Sequence, residues 1–346
     1  MSHMLTEIQE QPQWVEKAVQ LGQEPVQALA EDMQERGVRF IVIAARGTSD
    51  NAATYAKYLF EIVAGMPVAL AAPSVYTLYD AKLSLANTLV MGISQSGQGT
   101  DVVQVLSAAR AAGALTACVT NNGDSAITRV SDHVLLCHAG EEKAVAATKT
   151  YTTALAVVAL LVGTVAERRD LLEGLRRVPE TMSHMLGLAP AIQAQVERYR
   201  YMQECAVLAR GVNQATALEA ALKMTETCYI VAKPYSGADF LHGPIAMVDN
   251  GFPCMLYAPD GRAYASQLDL ALKIRERGGE MVVVAHSPEI LELGKTRIEI
   301  PDADIPELLS PLSYIVPGQL FACYLSLTRG TDPDRPRGLR KVTLTR

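Results

Sequence analysis

Glu219, Lys223 and Glu226 lie four and three residues apart in "ALEAALKMTE", so a helix there would carry two carboxylates and an ammonium on one face. Such a set can pass a proton, but spacing alone reads as an exposed, salt-bridged face. Ser94, Ser96 and Thr100 close the apolar run of "LVMGISQSGQGTDVVQVL", where Leu89–Ile93 reads as a buried strand and Asp101–Arg110 as a helix. In a strand-to-helix turn the backbone N–H groups, the helix dipole and the hydroxyls together favour a phosphate or carboxylate. The plainer role for Ser96 is a helix cap. His242, at the Gly243–Pro244 turn of "FLHGP", is placed to be exposed, and imidazole is a side chain suited to acid–base work near neutral pH. Lys341 near the C-terminus reads by itself as a solubilising charge.

The elements that must position these residues alternate. From Phe40 onward the order is "FIVIA", turn chemistry at Thr48–Asn51, a helix to Ile62, "PVALAA", "TLVMGI", a helix, "LTACVT", a short helix and "HVLLC". That order predicts an α/β fold with a doubly wound parallel sheet. The phrase "ARGTSDNAATYAKYLFE" at 45–61 returns as "ARGVNQATALEAALKMTE" at 209–226, and "ECAVLA", "PCMLYA" and "MVVVAH" supply further strands. Two copies of one α/β unit in tandem account for this. One or two helices precede the first copy. Residues 168–200 read as amphipathic helix broken at Pro179 and Pro190.

Composition narrows the function. With 49% hydrophobic and 20% charged residues in 346, the chain can build two cores, and its net charge of -6 argues against a nucleic-acid binder. Six cysteines show no CxxC or metal-finger spacing and read as buried cytosolic thiols, with no metal implied. The apolar stretch 153–166 is too short to cross a bilayer, so no membrane role is expected and a cytoplasmic location is. The lone GxG at Gly97–Gly99 lacks the third glycine of a dinucleotide site, and no GxxxxGK[ST] loop is present. A lysine-free hydroxyl turn suits the phosphate monoester of a sugar better than a triphosphate.

Taken together, "RGTSDNAATYAKYLFE", "SQSGQGTD", "AGEEKAVAATKTYTT", "ALEAALKMTE", "FLHGP" and "PRGLRKVTLTR" resemble the double sugar-isomerase (SIS) domain family. The resemblance runs from about residue 30 to the end, as in the isomerase half of glucosamine-6-phosphate synthase, and is stronger still to SIS-type glucosamine-6-phosphate deaminases. It implies a helical lead over 1–36, SIS domains over 37–168 and 201–330, a helical connection over 169–200 and an active-site tail over 331–346. It further implies that Thr48, Ser49, Ser94, Gln95 and Ser96 hold the sugar phosphate and that Val145, Ala146 and Ala147 line the sugar. The synthase pattern has threonine where Gly99 stands, with Thr100 as the neighbouring substitute; lysine where Thr225 stands; and a His-Ala-Glu-Ala run in place of "VAKPY".

Glu226 matches the residue expected to carry a proton between C1 and C2 of the opened sugar, with Glu219 and Lys223 positioning it. His242 matches the ring-opening residue, which in the family arrives from the neighbouring subunit, so a homodimer is expected. Lys341 matches an imine-forming lysine, for which an apolar pocket would favour the neutral amine. The implied activity is deamination and isomerisation of glucosamine 6-phosphate to fructose 6-phosphate and ammonia, without metal or organic cofactor. The synthase's glutaminase domain, with its leading cysteine, has no counterpart in these residues. The alternatives are aldose–ketose isomerisation, aminotransfer from external ammonia, deglycation of a fructosamine phosphate, and a non-catalytic regulator that binds a sugar phosphate.

Overall fold

The structure is a computed structural model and describes residues 2–302 and 304–341. Its apolar runs become two five-stranded, all-parallel sheets. The first contains β1 (Phe40–Ala44), β2 (Val68–Leu70), β3 (Thr88–Ile93), β4 (Leu115–Thr120) and β5 (His133–Leu136), in the order β2-β1-β3-β4-β5. The second contains β6 (Glu204–Ala209), β7 (Val231–Ser236), β8 (Pro253–Ala258), β9 (Glu280–Ala285) and β10 (Thr296–Glu299), in the order β10-β9-β8-β6-β7. Read from its own first strand, the second order is that of the first. The internal repeat is therefore one topology built twice, as the doubly wound expectation requires.

The chain divides into two compact units. The first-sheet unit comprises Glu10–Glu142, Ala147–Arg176 and the chain from Leu339; the second-sheet unit comprises the residues up to Gln9, Lys143–Ala146 and Arg177–Gly338. In the first, β3 is buried along its whole length because a central parallel strand is covered on both faces. Val102, Val105, Leu106 and Ala109 of the helix Thr100–Ala111 pack with Val42, Val90 and Cys118. In the second, the helix Ser310–Thr328 packs on the helix Gln214–Cys228. A methyl group at Gly318 would collide with the Tyr257 hydroxyl and come within 3.1 Å of Ala220 Cβ, so only glycine permits this approach.

Several local expectations need correction. The lead has three helices, His3–Gln9, Gln11–Leu21 and Gln23–Glu35, because Pro12 and Gly22 divide what periodicity alone would join. Pro179 does not break its helix but lies inside Arg169–Leu186, whereas Pro190 sits in the first turn of Ala189–Gln195, where a missing N–H costs nothing. The segment Glu307–Thr328 is long and apolar enough to cross a membrane, but 94% of its most apolar window is buried, as in a core helix.

Candidate functional site

In the first-sheet unit, strand order reverses between β1 and β3, and doubly wound sheets bind ligands at such a point. Each strand leads straight into a helix. β1 passes through Arg46 and Gly47 into Thr48–Leu59, which puts Thr48 and Ser49 in its first turn. β3 passes through Ser94–Gly99 into Thr100–Ala111, leaving Thr100 exposed at the start. Both helix dipoles present their positive ends here.

The turn after β3 is pinned from within. Ser94 Oγ accepts from Gly97 N at 3.2 Å, Ser96 Oγ accepts from Gln98 N at 3.3 Å, and Gln95 O accepts from Asn121 N at 3.0 Å. Gly97 has φ +64°, and a side chain there would run into Ser125, so the turn needs glycine for two separate reasons. Thr48, Ser49, Gln95 and Ala147 line a common cavity of about 30 Å³, floored by Thr150 and Tyr151. That is about the room of one water or one phosphate oxygen.

Two residues that the sequence reading passed over complete this region. Arg46 Nε pairs with Asp101 Oδ2 at 2.7 Å, and Asp101 Oδ1 accepts from Val102 N at 2.9 Å. The guanidinium thus offsets the acid in the first turn of Thr100–Ala111 and ties the two turns together. Glu142, whose side chain has no exposed surface, accepts from Thr148 N at 2.9 Å, Thr150 N at 3.1 Å, Thr150 Oγ1 at 2.7 Å and Lys341 Nζ at 2.7 Å. Burial alone would raise its pKa, but the Lys341 charge and the two backbone N–H groups outweigh burial and hold it below the ordinary range. The apolar pocket expected around Lys341 is therefore replaced by a carboxylate. The positive charge next to "GTS" was a legible signal for Arg46. Glu142 had none, since an acid in a polar loop reads as solvated.

In the second-sheet unit, β6 leads into the helix Gln214–Cys228. Lys223 is fully buried, with Nζ 3.2 Å from Glu219 Oε1 and 2.7 Å from Glu226 Oε2. Burial pushes its pKa down, but the two carboxylates outweigh it and hold the ammonium above the usual lysine range. The exposed face suggested by spacing is overturned, because Ala217, Ala220, Ala221 and Met224 make the helix apolar almost all round. Glu219 has no exposed side-chain surface, whereas 23% of Glu226 is exposed, so Glu226 alone of the three can meet a ligand.

The helix ends at Tyr229, in the left-handed region at φ +57°. Its hydroxyl accepts from Arg337 N at 2.9 Å, and the Arg337 guanidinium lies 4.1 Å from the ring centroid. Asp334 accepts from His3 N and Met4 N, both at 2.7 Å, and its carbonyl accepts from Val145 N at 3.1 Å. The Glu7 carboxylate accepts from Lys143 N and Ala144 N. Val145 and the buried Ala146 are thus fixed by the tail and the first helix. His242 is exposed after the short helix Gly237–Leu241, outside the Lys223 cluster. Among the described residues, no group of three or more His, Cys, Asp or Glu could hold a metal ion.

A tandem of identically wound parallel sheets, with an anion-favouring switch point in one and a buried ionic ladder in the other, defines a two-unit doubly wound α/β protein. The chain belongs to the SIS domain family, whose sequence model matches residues 36–163 and 203–329. It is 34% identical over 349 residues to the glutamine–fructose-6-phosphate aminotransferase (isomerizing) of Thermococcus kodakarensis, covering 98% of this chain and 57% of that protein. The chain therefore spans little more than half the length of that relative. Its structure is similar to a Silicibacter pomeroyi protein assigned as a phosphosugar isomerase, with TM-score 0.86, 34% identity, and coverage of 96% of this chain and 100% of that one. It is also similar to the C-terminal domain of glucosamine-fructose-6-phosphate aminotransferase from Francisella tularensis, with TM-score 0.89, 26% identity, and coverage of 97% and 98%.

Proposed function

We propose that this chain is an aminosugar-phosphate deaminase/isomerase that converts glucosamine 6-phosphate to fructose 6-phosphate and ammonia. The observation that carries the reading is the Glu219–Lys223–Glu226 ladder, in which a buried ammonium holds one carboxylate at accessible surface. A carboxylate fixed in this way suits transfer of a proton from C2 to C1 of an opened hexose. Thr48, Ser49, Ser94, Gln95, Ser96 and Thr100 would seat the phosphate, with the backbone at Val145, Ala146 and Ala147 along the sugar. His242 would open the ring, reaching the site of a second copy in a homodimer.

Glu226 takes the C2 proton of the open aldose and delivers it to C1, while one N–H proton of the amine passes to the C1 oxygen, so that C1 becomes a CH2OH and C2 an imine. Water adds to that carbon and ammonia departs with the C–N bond pair, giving the ketose. Glu219 and Lys223 have no exposed side-chain surface and act as positioning residues for Glu226. The similarity to an aminotransferase supports the same site chemistry, and the reverse direction is a matter of ammonia supply.

The test is ammonia release by the purified protein from glucosamine 6-phosphate without glutamine, metal or nucleotide. Glu226→Gln should lower kcat by about 10² to 10⁴ while leaving substrate affinity largely intact. Ammonia from a different phosphorylated amine only would keep the mechanism and change the substrate. Tight sugar-phosphate binding with no turnover of any phosphorylated amino sugar would overturn the reading in favour of a regulator.

A further inference from the structure

The two turns proposed to seat the phosphate hold a single cationic side chain, and a role for it there rests on the deaminase/isomerase reading above. Residues 45–50 and 94–101 contain Arg46 as their sole lysine or arginine, against two acids, Asp50 and Asp101. Asp50 lies in the first turn of the helix Thr48–Leu59 and Asp101 in the first turn of Thr100–Ala111. Two carboxylates so placed oppose an incoming anion unless a cation offsets them. Arg46 Nε donates to Asp101 Oδ2 at 2.7 Å. Partial desolvation raises the pKa of Asp50, and the Arg46 charge opposes that rise, so one guanidinium acts on both acids. We propose that Arg46 is a phosphate-binding residue that makes the site select a doubly charged sugar monoester over a singly charged one.

A guanidinium has five N–H donors, of which Asp101 takes the one on Nε. The four on Nη1 and Nη2 have no acceptor among the described residues, and the side chain is 56% exposed. Asp101 is itself fixed, since it is buried and its Oδ1 accepts from Val102 N at 2.9 Å. The fork is therefore held at Nε and open at its outer end. Space for a ligand lies beside its anchor: a Cβ on Gly99 would stand 3.7 Å from Asp101 Oδ1 and 3.9 Å from Ser94 Oγ. The missing side chain thus leaves a gap between the carboxylate that holds Arg46 and a hydroxyl of the proposed seat. Two N–H groups of a guanidinium match two oxygens of a phosphate. The full positive charge also favours the second negative charge of a phosphate monoester, whose second pKa is about 6.

The experiment measures calorimetric affinity at about pH 7.5, where the phosphate ester is mostly dianionic, for glucitol 6-phosphate and glucitol 6-sulfate. Neither polyol has a carbonyl to react, and the sulfate ester carries one charge. The wild type should bind the phosphate about tenfold or more tightly than the sulfate. Arg46→Met should raise the dissociation constant of the phosphate about ten- to hundredfold and shrink the preference to about threefold or less. Arg46→Lys, which keeps the charge and loses the fork, should keep most of the preference at weaker affinity. Should Arg46→Met fail to fold, Arg46→Gln, which keeps an N–H donor and loses the charge, decides by the same ratio. Ser96→Ala reports on the seat itself. If Ser96→Ala weakens binding while the neutral Arg46 variant leaves both affinities or their ratio unchanged, Arg46 only ties the two turns together and the inference is overturned while the seat stands. If the wild type binds neither probe and turns over no phosphorylated amino sugar, the parent reading fails and this inference fails with it.

Discussion

The two repeats share strand order and the strand–turn–helix phrase, yet they spend their polar residues in opposite places. Aligned from Ala45 and Ala209 without a gap, Thr48 and Ser49 face Val212 and Asn213, while Tyr55, Leu59 and Ile62 face Glu219, Lys223 and Glu226. The first repeat thus keeps hydroxyls at the N-terminus of its helix and apolar side chains in the body, with Tyr55 and Leu59 fully buried. The second closes its N-terminus with its own side chains: Asn213 Nδ2 donates to Ser310 Oγ at 2.7 Å, and Thr216 Oγ1 donates to Asn213 Oδ1 at 2.9 Å. Its turn after β8 carries Asp260, and Arg262 N donates to Glu307 Oε2 at 3.1 Å. That end carries carboxylates where the first repeat carries hydroxyls, and the buried charges sit in the helix body. Under the proposed function, one duplicated scaffold would divide binding from proton transfer, since each task would use a different part of the same helix.

The largest effect should come from the body of the second helix. Lys223→Met removes the counter-ion of the fully buried Glu219, and breaking such a pair costs about 3 to 5 kcal/mol. Urea unfolding should show the loss directly. The double change Glu219→Leu/Lys223→Met, which gives this helix an apolar body like that of the first repeat, should recover most of the stability while abolishing turnover. A single variant that loses less than about 1 kcal/mol would mean that the ladder is hydrated, and the contrast between the two helices would collapse.

The next effect separates the two turns. Ser96→Ala should raise the dissociation constant for a hexose 6-phosphate about ten- to hundredfold, since a hydrogen bond to a charged group contributes roughly 1.5 to 3 kcal/mol. Asp260→Asn, in the corresponding turn of the second repeat, should leave calorimetric affinity unchanged. Equal effects at the two positions would mean that both turns bind.

The same contrast explains what the sequence disclosed. All five strands of the first sheet and three of the second are visible as apolar runs. The two that are not, β7 and β10, lie at sheet edges with one neighbour each. β7 includes Lys233 and Pro234 and is only partly buried, and β10 is four residues of alternating burial, so neither produces a run. The hydroxyl turn was legible as a strand-to-helix connection because serine and glycine cluster there between an apolar run and a helical one. The buried state of Lys223 was not, because helical spacing is the same for a solvated face and an interior ladder; the surrounding alanines were the signal. Glu142 shows the limit, since a loop acid becomes significant only when the chain folds Thr148, Thr150 and Lys341 around it.

The smallest effect tests an arginine that both repeats share. Arg46 and Arg210 occupy the same place in the phrase, each just before the glycine that opens the turn. Arg46 is ion-paired with Asp101, while Arg210 has no ion-pair partner among the described residues. The Arg46 side chain is 56% exposed, so solvent screens most of the attraction, and Asp101 keeps its hydrogen bond to Val102 N when the guanidinium is removed. Arg46→Met should therefore cost only about 0.2 to 1 kcal/mol in urea unfolding at low salt. Arg210→Met should cost nothing measurable, and the difference should shrink in about 1 M salt, where the Debye length falls to roughly 3 Å. A loss at Arg46 that persists in high salt would show that the guanidinium stabilises the turn by packing. The two repeats would then differ at this residue in shape, with charge playing no part.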